Sequence, residues 1–275
     1  VMEPIDPTIA AGWSVAALLF GLALLASLDG GLRRGANLMM AGMMVIGAVT
    51  LYSHDVMAMP QICAALITGG AIGLALGQGV PRSAIPALLT GLVGQAGLAA
   101  VFVGGAAWRN PHAFGLLDEA TDRLLGDAAI AMAATVALGA MACAGAAAIL
   151  WRGTAWQGER RPGLPLFAAA MLVATGGTMA GFVASPGSAG LLVSTGVALL
   201  AGWGLARWAI GAGAGPAMAL VGGLAGWAVA ASAFLLENTG MAVAGGLAGA
   251  AGSLLGLRLC GRAGRKGLAD ARRRP

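Results

Sequence analysis

Along its whole length the chain alternates between long apolar runs and short clusters of polar or helix-breaking residues. Nine runs approach the roughly 20 apolar residues that a helix needs to cross the hydrocarbon core. They lie at about 9–28, 36–52, 56–76, 85–107, 128–150, 164–184, 189–209, 216–236 and 240–257. Between them stand turn-forming segments: DGGLRRG, YSHD, GQGVPRS, the long 108–127 segment, RGTAWQGERRPG, SPGS, GAGAGP and ENTG. The pattern predicts an all-α integral membrane protein, a polytopic bundle of about nine transmembrane helices over residues 1–258, followed by a basic cytoplasmic tail at 259–275. The 108–127 loop is expected to hold a short interfacial helix, with Phe114, Leu116, Leu117, Leu124 and Leu125 turned to lipid or the bundle.

Charge adds an orientation. With nine spans the loops alternate sides, and one side collects Arg33, Arg34, Arg82, Arg152, Arg160, Arg161, Arg207 and the tail. That side carries fourteen of the sixteen Lys and Arg residues, leaving only Arg109 and Arg123 opposite. Basic loops stay cytoplasmic, so the N-terminus is expected outside and the C-terminus inside. Acidic residues favour the outer side: Glu3, Asp6, Asp55, Asp118, Glu119, Asp122, Asp127 and Glu237.

Composition strengthens the membrane reading, since 59% of residues are hydrophobic and 10% charged, against about 25% charged in soluble domains. The net charge of +5 does not point to nucleic acid, because seven basic residues lie after Leu257, in RLCGRAGRKGLADARRRP. A basic tail leaving a span reads as a topology and lipid-headgroup signal. The acidic opening VMEPIDPTIA lacks a basic n-region, so no secretory leader is expected. Cys63, Cys143 and Cys260 are scattered and make neither a metal spacing nor a disulfide framework. His54 and His112 are isolated in loops and read as solvated.

Small residues four apart recur at Gly69/Gly73, Gly177/Gly181, Gly222/Gly226, Gly245/Gly249 and Gly252/Gly256. That spacing lets backbones approach closely and predicts tight helix packing rather than a wide pore. No span centre holds Asp, Glu, Lys, Arg or His, the usual markers of an ion or proton path. What is left is Thr50, Gln61, Thr68, Thr90, Gln95, Thr135, Thr175, Thr178, Ser194, Thr195, Ser232 and Ser253. Such groups bond a neighbouring helix or their own backbone, and Gln95 is read as an interhelical contact. The glycine-rich GGAIGLALGQG lies in a span, without the strand–turn–helix setting of a dinucleotide site. No catalytic, cofactor-binding or metal-ligating residue is singled out.

Four segments, in order, carry a resemblance: RRGANLMMAGM (33–43), GGAIG (69–73), PALLTGLVGQAGLAAVFVG (86–104) and GWAVAASAFLLEN (226–238). Together they resemble the membrane domain of the proton-translocating NAD(P) transhydrogenase beta subunit, over nearly the whole chain. The resemblance implies hydride transfer between NAD(H) and NADP(H) coupled to proton movement, with an NADP(H)-binding domain following the last span. It also implies an intramembrane histidine where this sequence has Val93, a later asparagine where it has Gly222, and a coupling acid where it has Ala214. None of these replacements can take up a proton or accept a charge-assisted hydrogen bond. The sequence ends at Pro275, so direct nucleotide binding is not expected and no cofactor is assigned.

The expectation is therefore a non-catalytic, transhydrogenase-like subunit, structural or accessory in a larger respiratory or photosynthetic complex of a bacterial-type inner membrane. Its partners would be the lipid bilayer and other membrane subunits. An alternative is the membrane part of a split proton-translocating transhydrogenase with nucleotide domains on other chains, in which Gln95 helps to hold a water chain. A third, a small-molecule transporter, would require internal symmetry around a midplane site, and no convincing repeat is present.

Overall fold

A computed structural model of the chain describes residues 7–28, 38, 41–42, 45, 67, 71, 85–117, 124–156, 168–169, 172–173, 175 and 189–272. Two compact units divide at Ile85. In the first unit, helix α1 (Pro7–Leu28) is apolar throughout; Ala16 and Ala23 are buried, while Leu18 and Leu25 are exposed.

The second unit contains α2 (Ile85–Arg109), α3 (Gly126–Trp156), α4 (Ala189–Ala212), α5 (Ala214–Leu235) and α6 (Thr239–Arg272). All five are long and apolar enough to cross a membrane, and no strand occurs among the described residues. The expectation of a multi-pass, all-α membrane protein stands. The count of nine spans also depends on 36–52, 56–76 and 164–184, which lie largely outside the described residues, as do Gly69, Gly73, Gly177 and Gly181.

The direction of each helix follows from its contacts. Gly97 of α2 meets Gly139 and Ala142 of α3, while Gly104 meets Val136, so α2 and α3 are antiparallel. Val136 and Ala140 of α3 cluster with Leu191 and Ala198, while Ala146 and Ile149 cluster with Ala206 and Ala209, so α3 and α4 are parallel. The described helical residues between them run the other way: Ala168 packs at Ala147 and Leu150, and Thr175 bonds Cys143. α5 and α6 form the most extensive contact and are antiparallel, with Leu220 beside Gly256 and Ala230 beside Gly245. Arg152, Arg207, Arg258 and Arg262 therefore share one end of this unit. Arg109, Asp127 and Glu237 share the other.

Small residues set these distances. α3 is the most buried span, and Ala140, Ala142, Ala144, Ala146, Ala147 and Ala148 are all buried. Without bulky side chains, backbones gain dispersion contact at close range. The turns are equally compact. Gly213 alone joins α4 to α5 at φ +125, a conformation that suits glycine. Between α5 and α6, the Asn238 side-chain oxygen accepts the Met241 N–H at 3.0 Å and caps the helix.

The 108–127 loop is described only in part, and the expected interfacial helix falls largely on residues outside the described ones. Its described part holds a single 3-10 turn, Pro111–Phe114, closed by Gly115 at φ 62. Leu116 is buried under the helix ends with Ala107, Ala128, Met132 and Leu235, while Leu125 is exposed. Pro111 and Gly115 bracket the turn and stop it from lengthening. Asp118, Glu119, Asp122 and Arg123 lie outside the described residues.

Candidate functional site

The residues singled out by sequence fall on three helices of the second unit. Val93, on α2, is half-buried and packs against the core cluster that contains Cys143, Ala146, Leu220 and Val221. That cluster is built from apolar and thiol side chains of α3, α4, α5 and α6. Gly222 follows Val221 on α5 and is half-buried, and no atom lies within 4 Å of where its Cβ would stand. Ala214 is the first residue of α5, directly after the Gly213 bend, at the end shared with Arg152, Arg207 and Arg258.

Gln95 is turned elsewhere. Successive helical residues are about 100° apart, so positions 93 and 95 point to nearly opposite sides of α2. The structure accordingly leaves Gln95 exposed while Val93 faces the cluster. Within α2 the amide does not take the place of a side chain at Val93. It lies on an exposed stripe with Leu89, Leu92 and Phe102.

Polar groups in the interior are few and mostly closed on themselves. The Thr90 hydroxyl donates to the Pro86 carbonyl at 2.8 Å, Thr195 to Leu191 at 2.6 Å and Ser232 to Ala228 at 2.8 Å. Each satisfies its hydrogen with its own helix. Cys143, in the cluster that receives Val93, pairs with Thr175 of another segment, with sulfur and oxygen 3.4 Å apart. Thr135 is fully buried, and its hydroxyl has no hydrogen-bond partner among the described residues. Sequence reading had placed Thr135 and Thr175 among ordinary helix hydroxyls. Only the three-dimensional register distinguishes them, because composition is identical for a paired and an orphaned threonine.

Among the described residues, no three His, Cys, Asp or Glu side chains gather as a metal site. Cys143 and Cys260 are buried in one core cluster, and neither is in a disulfide. The interior can therefore pack, and offer thiol and hydroxyl hydrogen bonds. Among the described residues, the charged side chains of these five spans (Asp127, Arg109, Arg152, Arg207, Arg258 and Arg262) stand toward the span ends, and none lies at a span centre.

The glycines of α5 and α6 have a different part. A Cβ on Gly245 would meet the Gly226 carbonyl at 2.8 Å, one on Gly252 the Gly223 nitrogen at 2.7 Å, and one on Gly256 the Leu220 nitrogen at 2.8 Å. Gly249 faces Trp227, and Gly226 faces the Gly249 nitrogen. On α5 the close approach is made by Gly223 and Gly226, with Gly222 turned away.

A sequence model of the family described as NAD(P) transhydrogenase beta subunit matches residues 8–268. Two curated relatives, each named NAD(P) transhydrogenase subunit beta and from Rhodospirillum rubrum, one of them from a specified strain, are 37% identical over 107 residues. That alignment covers 38% of this chain and 23% of each relative.

Proposed function

We propose, for a chain that belongs to the NAD(P) transhydrogenase beta subunit family, that this membrane domain acts as a non-catalytic structural or accessory subunit of a larger assembly. The observation that carries the reading is Val93 in its apolar cluster. At the position where the resemblance implies a proton-handling imidazole, a valine packs against a buried hydrophobic cluster. Gated proton transfer needs a group that changes charge, and Gln95 on the opposite face cannot. Ala214 and Gly222 likewise bring no charge or side-chain hydrogen bond to the positions the resemblance marks. The basic loops favour a bacterial-type inner membrane with the C-terminus in the cytoplasm.

The test combines purification and transport. Native membranes are solubilised in mild detergent, and the chain is expected to migrate with other subunits in fixed ratio. Vesicles holding that preparation are expected to show no NADPH-linked proton uptake. A free monomer, or uptake that depends on this chain, overturns the proposal.

A second reading makes the chain the membrane part of a proton-translocating transhydrogenase completed by nucleotide-binding domains. The extent of the family match favours it. It requires a titratable group from elsewhere to stand in for Val93. Proton uptake on reconstitution with nucleotide-domain chains would establish it, and the same vesicle experiment distinguishes the two.

A further inference from the structure

The apolar part of α6 ends before the helix does. Its membrane-length stretch runs over Thr239–Arg262, and the helix continues to Arg272. At this junction Arg258 and Arg262, both exposed, stand four residues apart on one face. With Leu257 and Gly261 they line a shallow depression open to the surroundings. The space over Gly261 is open, with no described atom within 4 Å of where a Cβ would be. On the membrane side, Leu254, Leu255 and Leu257 expose apolar surface directly beside it.

We infer that Arg258 and Arg262 form a seat for the phosphate headgroup of an anionic membrane lipid, a site independent of whether the bundle moves protons. The chemistry is complementary at both ends. A guanidinium fork matches phosphate oxygens in a bidentate way, and the leucines before it suit an acyl chain. Neither arginine has an ion-pair partner among the described residues. The carboxylates Asp127 and Glu237 lie at the opposite end of the unit. A basic pair standing where the apolar stretch stops is the pattern that anionic leaflets attract.

The test uses the full chain in neutral detergent, titrated with phosphatidylglycerol or phosphatidylcholine and read by native mass spectrometry. Phosphatidylglycerol is expected to be retained preferentially. The double variant R258Q/R262Q should lose that retention by roughly tenfold or more, while R109Q, at the other end, should leave it unchanged. Excess inorganic phosphate should not displace the lipid, because it lacks the acyl chain that the leucines hold. Equal retention of the two lipids by the wild type overturns the proposal without reference to any variant. So does undiminished binding by the double variant, and displacement by phosphate alone would assign the site to a free anion.

Discussion

Gly226 of α5 and Gly249 of α6 meet backbone to backbone, so that a Cβ on Gly226 would run into the Gly249 nitrogen and stand 2.8 Å from its Cα. Main chain cannot swing aside as a side chain can. Gly226→Leu and Gly245→Leu are therefore expected to push α5 and α6 apart, at a cost of about 1–3 kcal/mol or more. Gly246→Leu is the control, since nothing lies within 4 Å of its Cβ position. Apparent melting temperatures in detergent should fall for the first two and hold for the third; equal behaviour of all three would refute the packing role.

The bend at Gly213 makes a separate prediction. At φ +125 an alanine is strained, and Gly213→Ala should destabilise by about 1–3 kcal/mol. Gly211 and Gly215 flank it within helices and have open Cβ positions. Alanine at either should be neutral or stabilising by up to about 1 kcal/mol. Thermal unfolding of the three single variants checks the order.

Val93→His tests the interior directly. The imidazole would enter the apolar cluster around Cys143 and Val221, where its charged form is disfavoured. A buried imidazole left without hydrogen-bond partners costs about 1–3 kcal/mol, so the variant should melt at a lower temperature in detergent than the wild type. An unchanged or raised melting temperature would show a polar neighbour at Val93.

Much of this architecture is legible in the apolar runs, because a bilayer-crossing helix must be long and continuous. Charge placed Arg152, Arg207 and Arg258 together, and helix directions in the structure gather the same residues at one end. Facing was harder to read. Gly222 and Gly223 are adjacent glycines, and only the α5–α6 register selects Gly223 for the close approach. The loop at 108–127 carried an amphipathic pattern, yet Pro111 and Gly115 limit its described part to one 3-10 turn. Val93 and Gln95 looked like neighbours in sequence, and helical geometry separates them by about 200°.

Gln95→Leu follows from that separation. The amide is exposed on α2, so its loss should change the chain's own stability by no more than about 0.5 kcal/mol. If a partner subunit bonds it within the bilayer, detergent-resistant association should weaken by roughly 0.6–2 kcal/mol. Co-purification yield in graded detergent reads that difference. Unaltered association would remove Gln95 from any interface.

Thr135 makes the opposite case to the other interior hydroxyls. It is fully buried on α3, and its oxygen has no hydrogen-bond partner among the described residues, although Ser232 and Thr195 each donate to their own helix. An unpaired buried hydroxyl carries a desolvation cost of about 1–3 kcal/mol. Thr135→Val keeps the branched shape that packs near Gly104 while removing the oxygen. The variant should therefore be more stable than the wild type by about 1 kcal/mol, whereas Thr195→Val and Ser232→Ala should be neutral or slightly destabilising. Unfolding in detergent at one pH ranks the three. A destabilised Thr135→Val would mean that a bound water completes the hydroxyl in the bundle, since such a water is costly to remove.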